Sequence, residues 1–357
     1  MERSAAGRRV AGNASDPITE HGDVRVGPIR AIPGLLAEHG IDPAPVLASV
    51  GVAADAFSDP ENRLDFNALG SLLAEGVKLT RCPHFGLLVG ARFTLDSLGM
   101  LGTLMRNSPT LRDALRLATA HIELQDRGAV ALALHFSDSE AALGYSLFDG
   151  RTPAADQILD GSMAIHHRLL GALCGQAWKP TAVHLSHRRP KETGPLHAVL
   201  GPTLAFDTRI SAVVFDARWL DHPIAGADPL TYRGILDAIA LQESRDPAPF
   251  AHKVRRAIHA MMFDASASTE NLANLFNLSE RTLRRRLEAE GATVRGLVNE
   301  VRHELAVHLL RQTQLPVTEI AAVLDYSDAT VFSRAFRKTA RMSPSEWRAR
   351  MAAPPAA

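Results

Sequence analysis

Apolar positions recur at helical spacing through the first and last thirds of the chain, with a stretch of alternating character between them. Ile32–Gly40 and Asp42–Gly51 read as short helices closed by glycine, the second begun by an Asp cap with prolines in its first turn. Asp65 opens a third helix through Leu69, Leu72, Leu73 and Val77, and Phe85–Gly90 follows as a short one. Thr110–Gln125 is the clearest, with Leu111, Ala114, Leu115, Ala118 and Ile122 on one face. The period then falls to two. Ala129–Phe136 and Ala141–Phe148, joined by Ser-Asp-Ser-Glu, predict a β-hairpin. Pro153–Leu173 predicts a long helix, Ala182–His187 and Ala212–Phe215 predict strands with a short helix near Pro195–Leu200 between them, and Asp228–Leu241 predicts a helix. Residues 28–240 are therefore expected to form an α+β domain. Residues 1–27, rich in Gly, Ala, Arg and Asp without periodicity, are expected to be a disordered leader, 241–249 a linker, and 351–357 a disordered tail.

From 250 to 350 the reading is all helix, and one pattern is written twice. Asn271–Leu287 and Glu319–Phe336 each give a short amphipathic helix, a turn, a serine and a second helix with an apolar i,i+4 pair. Leu272-Ala273 and Ile320-Ala321 stand 48 positions apart, with a small residue where two helices approach closely. Asn277 and Asp325, again 48 apart, occupy the turn position that needs φ > 0. Ser279 and Ser327 are the expected N-caps, followed by the acids Glu280 and Asp328 at the positive end of the helix dipole. Beyond the turn the offset becomes 49, so Leu283 and Leu287 match Phe332 and Phe336, and Arg285 matches Arg334. Gly291 marks the stop of the first copy. Between the copies, Thr293–Gln314 carries Val294, Leu297, Val298, Val301, Leu305 and Leu309 at helical period, predicting a long linker helix of ~30 Å. The predicted domain is all-α, with two helix-turn-helix units joined by that helix.

Charge and composition sharpen this picture only in part. The 357 residues carry 39 basic and 39 acidic side chains, but from Phe250 onward there are 16 basic against 11 acidic. The basic bias thus lies in the segment with the duplicated pattern, where phosphate contact would be needed. Arg284-Arg285-Arg286 cannot face one way, since successive helical residues are ~100° apart. With Leu283 and Leu287 in the core, Arg281, Arg284 and Arg285 share the exposed edge, and the second copy places Ala329, Thr330, Ser333 and Arg334 there. Arginine can fork onto guanine, whereas Ala and Thr can touch a thymine methyl.

Enzyme signatures are missing: there is no P-loop, dinucleotide turn, nucleophile elbow or His-Glu-x-x-His, and His121-Ile-Glu123 has no Pro-Cys-x-x-Cys behind it. His184 and His187 would lie on opposite faces of a strand, and His166 and His167 diverge on a helix, so neither pair suggests a metal site, though a histidine lining a pocket stays open. Cys82 and Cys174 are too far apart to form a motif, and a cytoplasmic setting is the default. No apolar run approaches ~18 residues, and no cofactor is implied.

Residues from roughly 250 to 350 resemble the DNA-binding domain of AraC-type transcription regulators, most closely in Tyr326–Lys338 and Met342–Arg348. That family usually has glycine at both turns, where this chain has Asn277 and Asp325, and before the Met-Ser-Pro run, where it has Ala340-Arg341. More softly, Gly40-Ile-Asp-Pro, Phe85-Gly-Leu, Leu98-Gly-Met-Leu-Gly, Ser108–Leu115 and Phe206-Asp resemble the "arabinose-binding-like" sensor domain of one AraC-type subgroup. The label does not imply a sugar. The resemblance implies base contacts from Arg281, Arg284, Arg285, Ala329, Thr330, Ser333 and Arg334, and phosphate contacts from Ser279, Thr282, Arg337 and Lys338. It also implies a one-component regulator of double-stranded DNA, an activator that contacts RNA polymerase, with an N-terminal domain for an unknown small effector or a homodimer partner. A partner-regulated DNA binder without a ligand, or an enzyme domain with a nucleophilic Cys fused to a DNA-binding one, are the competing readings.

Overall fold

A computed structural model describes residues 22–135, 137–245, 249–263 and 268–352. They divide at Ile239/Ala240 into two units, with Phe148–Arg151 and Asp207–Arg209 grouped with the second. The first unit opens with β1 (Asp23–Arg25), paired antiparallel with β2 (Arg63–Asp65). The leader expected over 1–27 is corrected here: Val24, Arg25 and Val26 are buried, and of that stretch only residues 1–21 lie outside the described residues. The polar composition of this stretch hides a buried cation, Arg25. Its guanidinium donates to Glu61, to the backbone oxygen of Ser97 and to Gln125 Oε1 at 3.2 Å. A three-residue strand is also too short to show a period.

Six helices follow or flank β2: α1 (Ile32–Glu38), α2 (Pro43–Ser49), α3 (Phe66–Thr80), α4 (Phe85–Ala91), α5 (Met100–Arg106) and α6 (Leu111–Ala120). Side-chain caps set three of their starts, with Asp42 accepting from Ala44 N at 3.0 Å, Asp65 from Ala68 N at 3.0 Å and Thr110 from Asp113 N at 3.2 Å. The helix expected to reach Gln125 stops at Ala120 and is continued by a 3₁₀ turn over Ile122–Leu124.

The hairpin forms as β3 (Ala129–His135) and β4 (Glu140–Leu147), then come α7 (Ala155–Cys174), β5 (Ala182–His184), α8 (Gly194–Leu200), β6 (Leu204–Ala205), β7 (Ser211–Asp216) and α9 (Pro229–Arg245). The five strands run in the order β3-β4-β7-β5-β6, antiparallel except for the β5–β6 pair. The helix α9 continues through the first five residues of the expected linker, because nothing from Leu241 to Arg245 breaks a helix.

Against this sheet lies α7, and against α7 lies α4. Glycines set their distance: a Cβ on Gly86 would stand 2.2 Å from Gln157 O, and one on Gly90 2.1 Å from Gly161 O. Only hydrogen fits at either place. Cys174, the last residue of α7, is buried, and burial pushes its thiol up to about 12, which removes it as a nucleophile near neutral pH. Cys82 is half-buried on the turn between α3 and α4, and both thiols are free. No helix among the described residues is long and apolar enough to cross a membrane.

The second unit is helical: α10 (Phe250–Met261), α11 (Thr269–Leu275), α12 (Glu280–Ala289), α13 (Val294–Gln312), α14 (Val317–Val323), α15 (Ala329–Ala340) and α16 (Pro344–Ala352). Helix α16 includes the first two residues of the expected tail, and 353–357 lie outside the described residues. Its start is a capping box, in which Ser343 N donates to Glu346 Oε2 at 2.6 Å and Glu346 N to Ser343 Oγ at 3.3 Å.

One buried pair in the first unit makes its stability depend on pH. His187 Nδ1 faces the backbone oxygen of Arg188 and Nε2 faces Asp160 Oδ1, both at 2.9 Å. With Asp160 ionised both partners accept, so the protonated ring, with an N–H on each nitrogen, satisfies both. Burial opposes that charge, yet the hydrogen bond and negative charge of Asp160 prevail and the pKa is raised. A raised pKa stabilises fully below the unfolded value of about 6.5 and progressively less as pH climbs through the folded value. The thermal midpoint is therefore expected to fall as pH rises above that range. His187→Gln should be less stable by about 1.5–3 kcal/mol on the acid side, the usual worth of a hydrogen bond to a charged group, and flatter with pH. Equal pH slopes for the two proteins would show that the ring is neutral.

Candidate nucleic-acid interface

The turn from α11 to α12 and the turn from α14 to α15 begin with the same helix closure. In the first, Asn277 N donates to Asn274 O at 3.0 Å and Leu278 N to Ala273 O at 2.9 Å. In the second, Asp325 N donates to Ala322 O at 3.1 Å and Tyr326 N to Ala321 O at 2.9 Å. Each pair of bonds is a Schellman closure, which satisfies the last carbonyls of a helix by putting the next residue in the left-handed region. Asn277 has φ 52° and Asp325 φ 58°, so the two turn residues read from the sequence are where they were expected. Gly291, at φ 72°, closes α12 in the same way, with Ala292 N on Leu287 O at 2.9 Å. Arg341 holds a further left-handed position, φ 62°, at the end of α15.

Packing then orients the second helix of each pair. Leu272, Ala273, Leu283 and Leu287 are buried in the first pair, and Ile320, Ala321, Phe332 and Phe336 in the second. On α13, Leu297, Val301, Leu305 and Leu309 are buried, and Val294 and Val298 half-buried. Phe336 meets the Trp347 ring edge-on at 5.9 Å, which ties α15 to α16.

Ser279 caps α12 as expected, accepting from Thr282 N at 3.2 Å. The cap of α15 is Asp328 and not Ser327, a correction of one residue. Asp328 Oδ1 accepts from Thr330 N at 2.7 Å and Val331 N at 2.8 Å, while Ser327 Oγ donates to the same carboxylate at 3.3 Å. The second turn is one residue longer, so position 328 stands where 279 stands in the first, and a carboxylate serves two N–H groups better than a hydroxyl. The N–H groups of Val331 and Thr330 hold the Asp328 carboxyl below the usual carboxylate range.

The expected contact residues sort by exposure. Arg281, Arg284, Arg285, Thr330, Arg334, Arg337 and Lys338 are exposed; Ala329 and Ser333 are half-buried; Ser279 is exposed and Thr282 half-buried, their hydroxyls 3.0 Å apart. Arg281, Arg285, Arg334 and Lys338 form no ion pair among the described residues. Arg284 pairs with Glu280 one turn away at 2.7 Å, an exposed i,i+4 contact of the kind worth about 0.3–0.5 kcal/mol, so it exchanges readily for another anion. Arg286 goes the other way, its guanidinium 5.6 Å from the Phe250 ring centre. The three consecutive arginines thus diverge, as the helical angle requires.

Two further side chains brace this unit and were not singled out in the sequence. Arg302 of α13 donates to Asp325 Oδ2 at 2.9 Å and to Asp325 O at 3.1 Å, and lies 4.9 Å from the Tyr326 ring centre. Glu290 accepts from Phe250 N at 2.9 Å and Ala251 N at 2.7 Å, capping α10 from the end of α12. Aspartate in place of glycine at 325 was the available signal for a cation nearby, since the carboxylate adds a function that glycine lacks.

Comparison with known proteins follows the same division. The arabinose-binding domain of AraC transcription regulators, N-terminal, matches residues 40–224, and a helix-turn-helix domain matches residues 272–350. The ornithine utilization regulator of Pseudomonas aeruginosa is 27% identical over 326 residues, covering 89% of this chain and 94% of that protein. The HTH-type transcriptional regulator VirS of Mycobacterium tuberculosis is 26% identical over 319 residues, covering 88% and 93%. Among solved structures, the transcriptional regulator CdpR from Pseudomonas aeruginosa has 20% identity and a TM-score of 0.46, covering 90% of this chain and 97% of that one.

The turn geometry sets a test at Asn277. Left-handed backbone costs a residue with a Cβ about 1–2 kcal/mol, less for Asn and nothing for Gly. Asn277→Gly should keep the urea midpoint of the helical unit, and Asn277→Val should lose about 1–2 kcal/mol. A Val variant as stable as the parent would mean that the turn is not left-handed.

Proposed function

The chain belongs to the family of AraC-type transcription regulators, and on that premise we propose that it reads DNA through two helix-turn-helix units under the control of its first unit. Family and relatives make it a DNA-binding transcription regulator and not an enzyme. In the finer reading, α12 and α15 are the recognition helices and α13 is the linker between them. Its 19 residues span about 28 Å, near the ~34 Å that separates successive major grooves on one DNA face.

The observation that carries this reading is the repeated left-handed Schellman turn, which delivers Arg285 and Arg334 to equivalent exposed positions. On that basis Arg281, Arg284, Arg285, Ala329, Thr330, Ser333 and Arg334 face base edges, and Ser279, Thr282, Arg337 and Lys338 face phosphates. The first helix presents more arginine and reads more sequence, whereas the second adds grip and methyl contacts. The first unit senses a small molecule or pairs with a second copy, biasing the DNA-binding state. Activation through RNA polymerase in the cytoplasm completes the proposal.

Fluorescence anisotropy against DNA upstream of its own and neighbouring genes, beside scrambled DNA at several salt concentrations, tests it. Arg285→Ala should weaken binding to the preferred fragment by about 1–3 kcal/mol and relax one base position. The Arg285→Ala/Arg334→Ala double variant should lose the preference for that fragment. Uniform weakening across all sequences would instead assign Arg285 to phosphate.

A further inference from the structure

Inside the first unit, between the sheet and the helices α4, α5 and α7, is a cavity of about 110 Å³. Its wall is almost wholly carbon, with Leu143 and Ala131 from the sheet, Val89 from α4 and Met105 from α5. Along α7 it is lined by Ile158, Gly161, Ile165 and Leu169, one face of the helix at i, i+3, i+7 and i+11. From Gln157, which opens this lining, to Leu169 is about 18 Å, more than three turns. A round void of that volume, about 6 Å across, would touch about two turns. The cavity is therefore narrow and drawn out along α7. At one end Gly86 of α4 lies against Gln157, and towards the other the His166 ring meets Tyr145 edge-on at 5.9 Å.

The polar side chains that border the cavity are turned to partners in its wall. Tyr145 donates its hydroxyl to Asp126, and Asp126 Oδ1 also accepts from Gly128 N at 2.8 Å. Gln157 accepts from Gly86 N and donates to Pro83 O, both at 3.0 Å. Gln125 donates to Leu98 O at 2.9 Å and accepts from Arg25 at 3.2 Å, and Ser162 donates to Ile158 O at 2.8 Å. His166 Nδ1 is buried without a partner, but that atom has no surface on the cavity and can serve nothing inside it. An interior water needs about two to four polar partners, and this wall offers no such set. The cavity is dry. Native interiors leave few such voids open, and this one cannot close, because α4 and α7 already touch backbone to backbone at Gly86 and Gly90.

We infer that the cavity binds an unbranched, uncharged aliphatic chain, laid along α7 with its carbons against the aliphatic wall. The driving force is carbon surface removed from water, which is worth about fourfold in affinity for each methylene. No hydrogen bond orients the chain; the narrow course of the cavity does. Branched isomers are too wide for it, and a charge carried inside would lie unpaired in carbon surroundings, which is strongly unfavourable. Coupling of this site to DNA rests on the sensor reading proposed above, to which it adds a ligand class.

Hydrocarbons of equal composition separate shape from apolar character. Saturation-transfer NMR and thermal shift on the full chain should show saturable binding of n-pentane and about fourfold tighter binding of n-hexane. The branched isomer 2,2-dimethylbutane should bind at least about tenfold more weakly than n-hexane, the usual order for overpacking a well-packed interior. Hexanoate should not bind. Ala131→Leu and Ala118→Leu, which put bulk into the cavity from the sheet and from α6, should each remove n-hexane binding with circular dichroism unchanged. The chain-length and isomer comparisons use the native chain and decide the matter even where a leucine variant does not fold. Equal binding of the two hexane isomers, hexanoate binding as tightly as n-hexane, no saturable binding of either linear alkane, or n-hexane binding unchanged in both folded leucine variants would overturn the site.

DNA anisotropy run with and without n-hexane keeps the two readings apart. Alkane binding with unaltered DNA affinity supports the cavity site and removes its coupling to DNA. Alkane binding by a chain that shows no preference among DNA fragments supports the site and sinks the regulator mechanism instead.

Discussion

The first unit depends on the contact between α4 and α7, where glycine hydrogens lie against peptide oxygens. Gly86 and Gly90 are one turn apart on α4, and each faces a backbone carbonyl of α7 too closely for any side chain. A helix pair in van der Waals contact through its backbones has no soft side chains between its axes. Its spacing cannot adjust when a neighbour changes, so α7 holds α4 at a set height above the sheet. Gly86, Gly90 and Gly161 all border the interior cavity. The void persists because its walls cannot approach without forcing those backbones into each other, as close-packed interiors relax only partially around a gap.

The second unit solves a different problem, the placement of exposed cations, and backbone conformation again decides it. An arginine on a helix surface has four rotatable bonds and little packing to position it. What can be set is the helix that carries it, through a left-handed turn at one end and a buried apolar pair beneath. Both copies do this, and side chains reinforce the second: Arg302 grips Asp325 from α13, and Asp328 closes the first turn of α15 with two N–H bonds. The non-glycine residues at these turns are thus not simple losses. The backbone strain at Asp325 is offset by a carboxylate that links the turn to α13.

The helical unit was legible in the sequence because its determinants are local. Turn residues, caps and apolar pairs lie within a few positions of one another, and repetition at 48 and then 49 residues checked each assignment against a second copy. The hairpin and α7 were legible for similar reasons, a sustained period bounded by turn residues. The features that escaped depend on distant partners. The strands β1 and β2 are three residues each, and β1 ends in a buried arginine whose partners lie 36, 72 and 100 positions away. The cap at Asp328 was misplaced because two adjacent residues could both serve, and only the geometry of the longer turn separates them. The cavity and the unpartnered nitrogen of His166 were out of reach, since a void is a property of many residues brought together and none of them announces it.

The two cysteines give the molecule a chemical asymmetry of practical use. With the Cys174 thiol buried and far from ionising, thiol-directed reagents meet one competent sulfur, that of Cys82. That residue sits on the short connection between α3 and α4, and α4 brings Gly86 and Val89 to the cavity wall. A fluorophore attached there would sit beside that wall without any engineered cysteine, because the buried Cys174 would stay unlabelled.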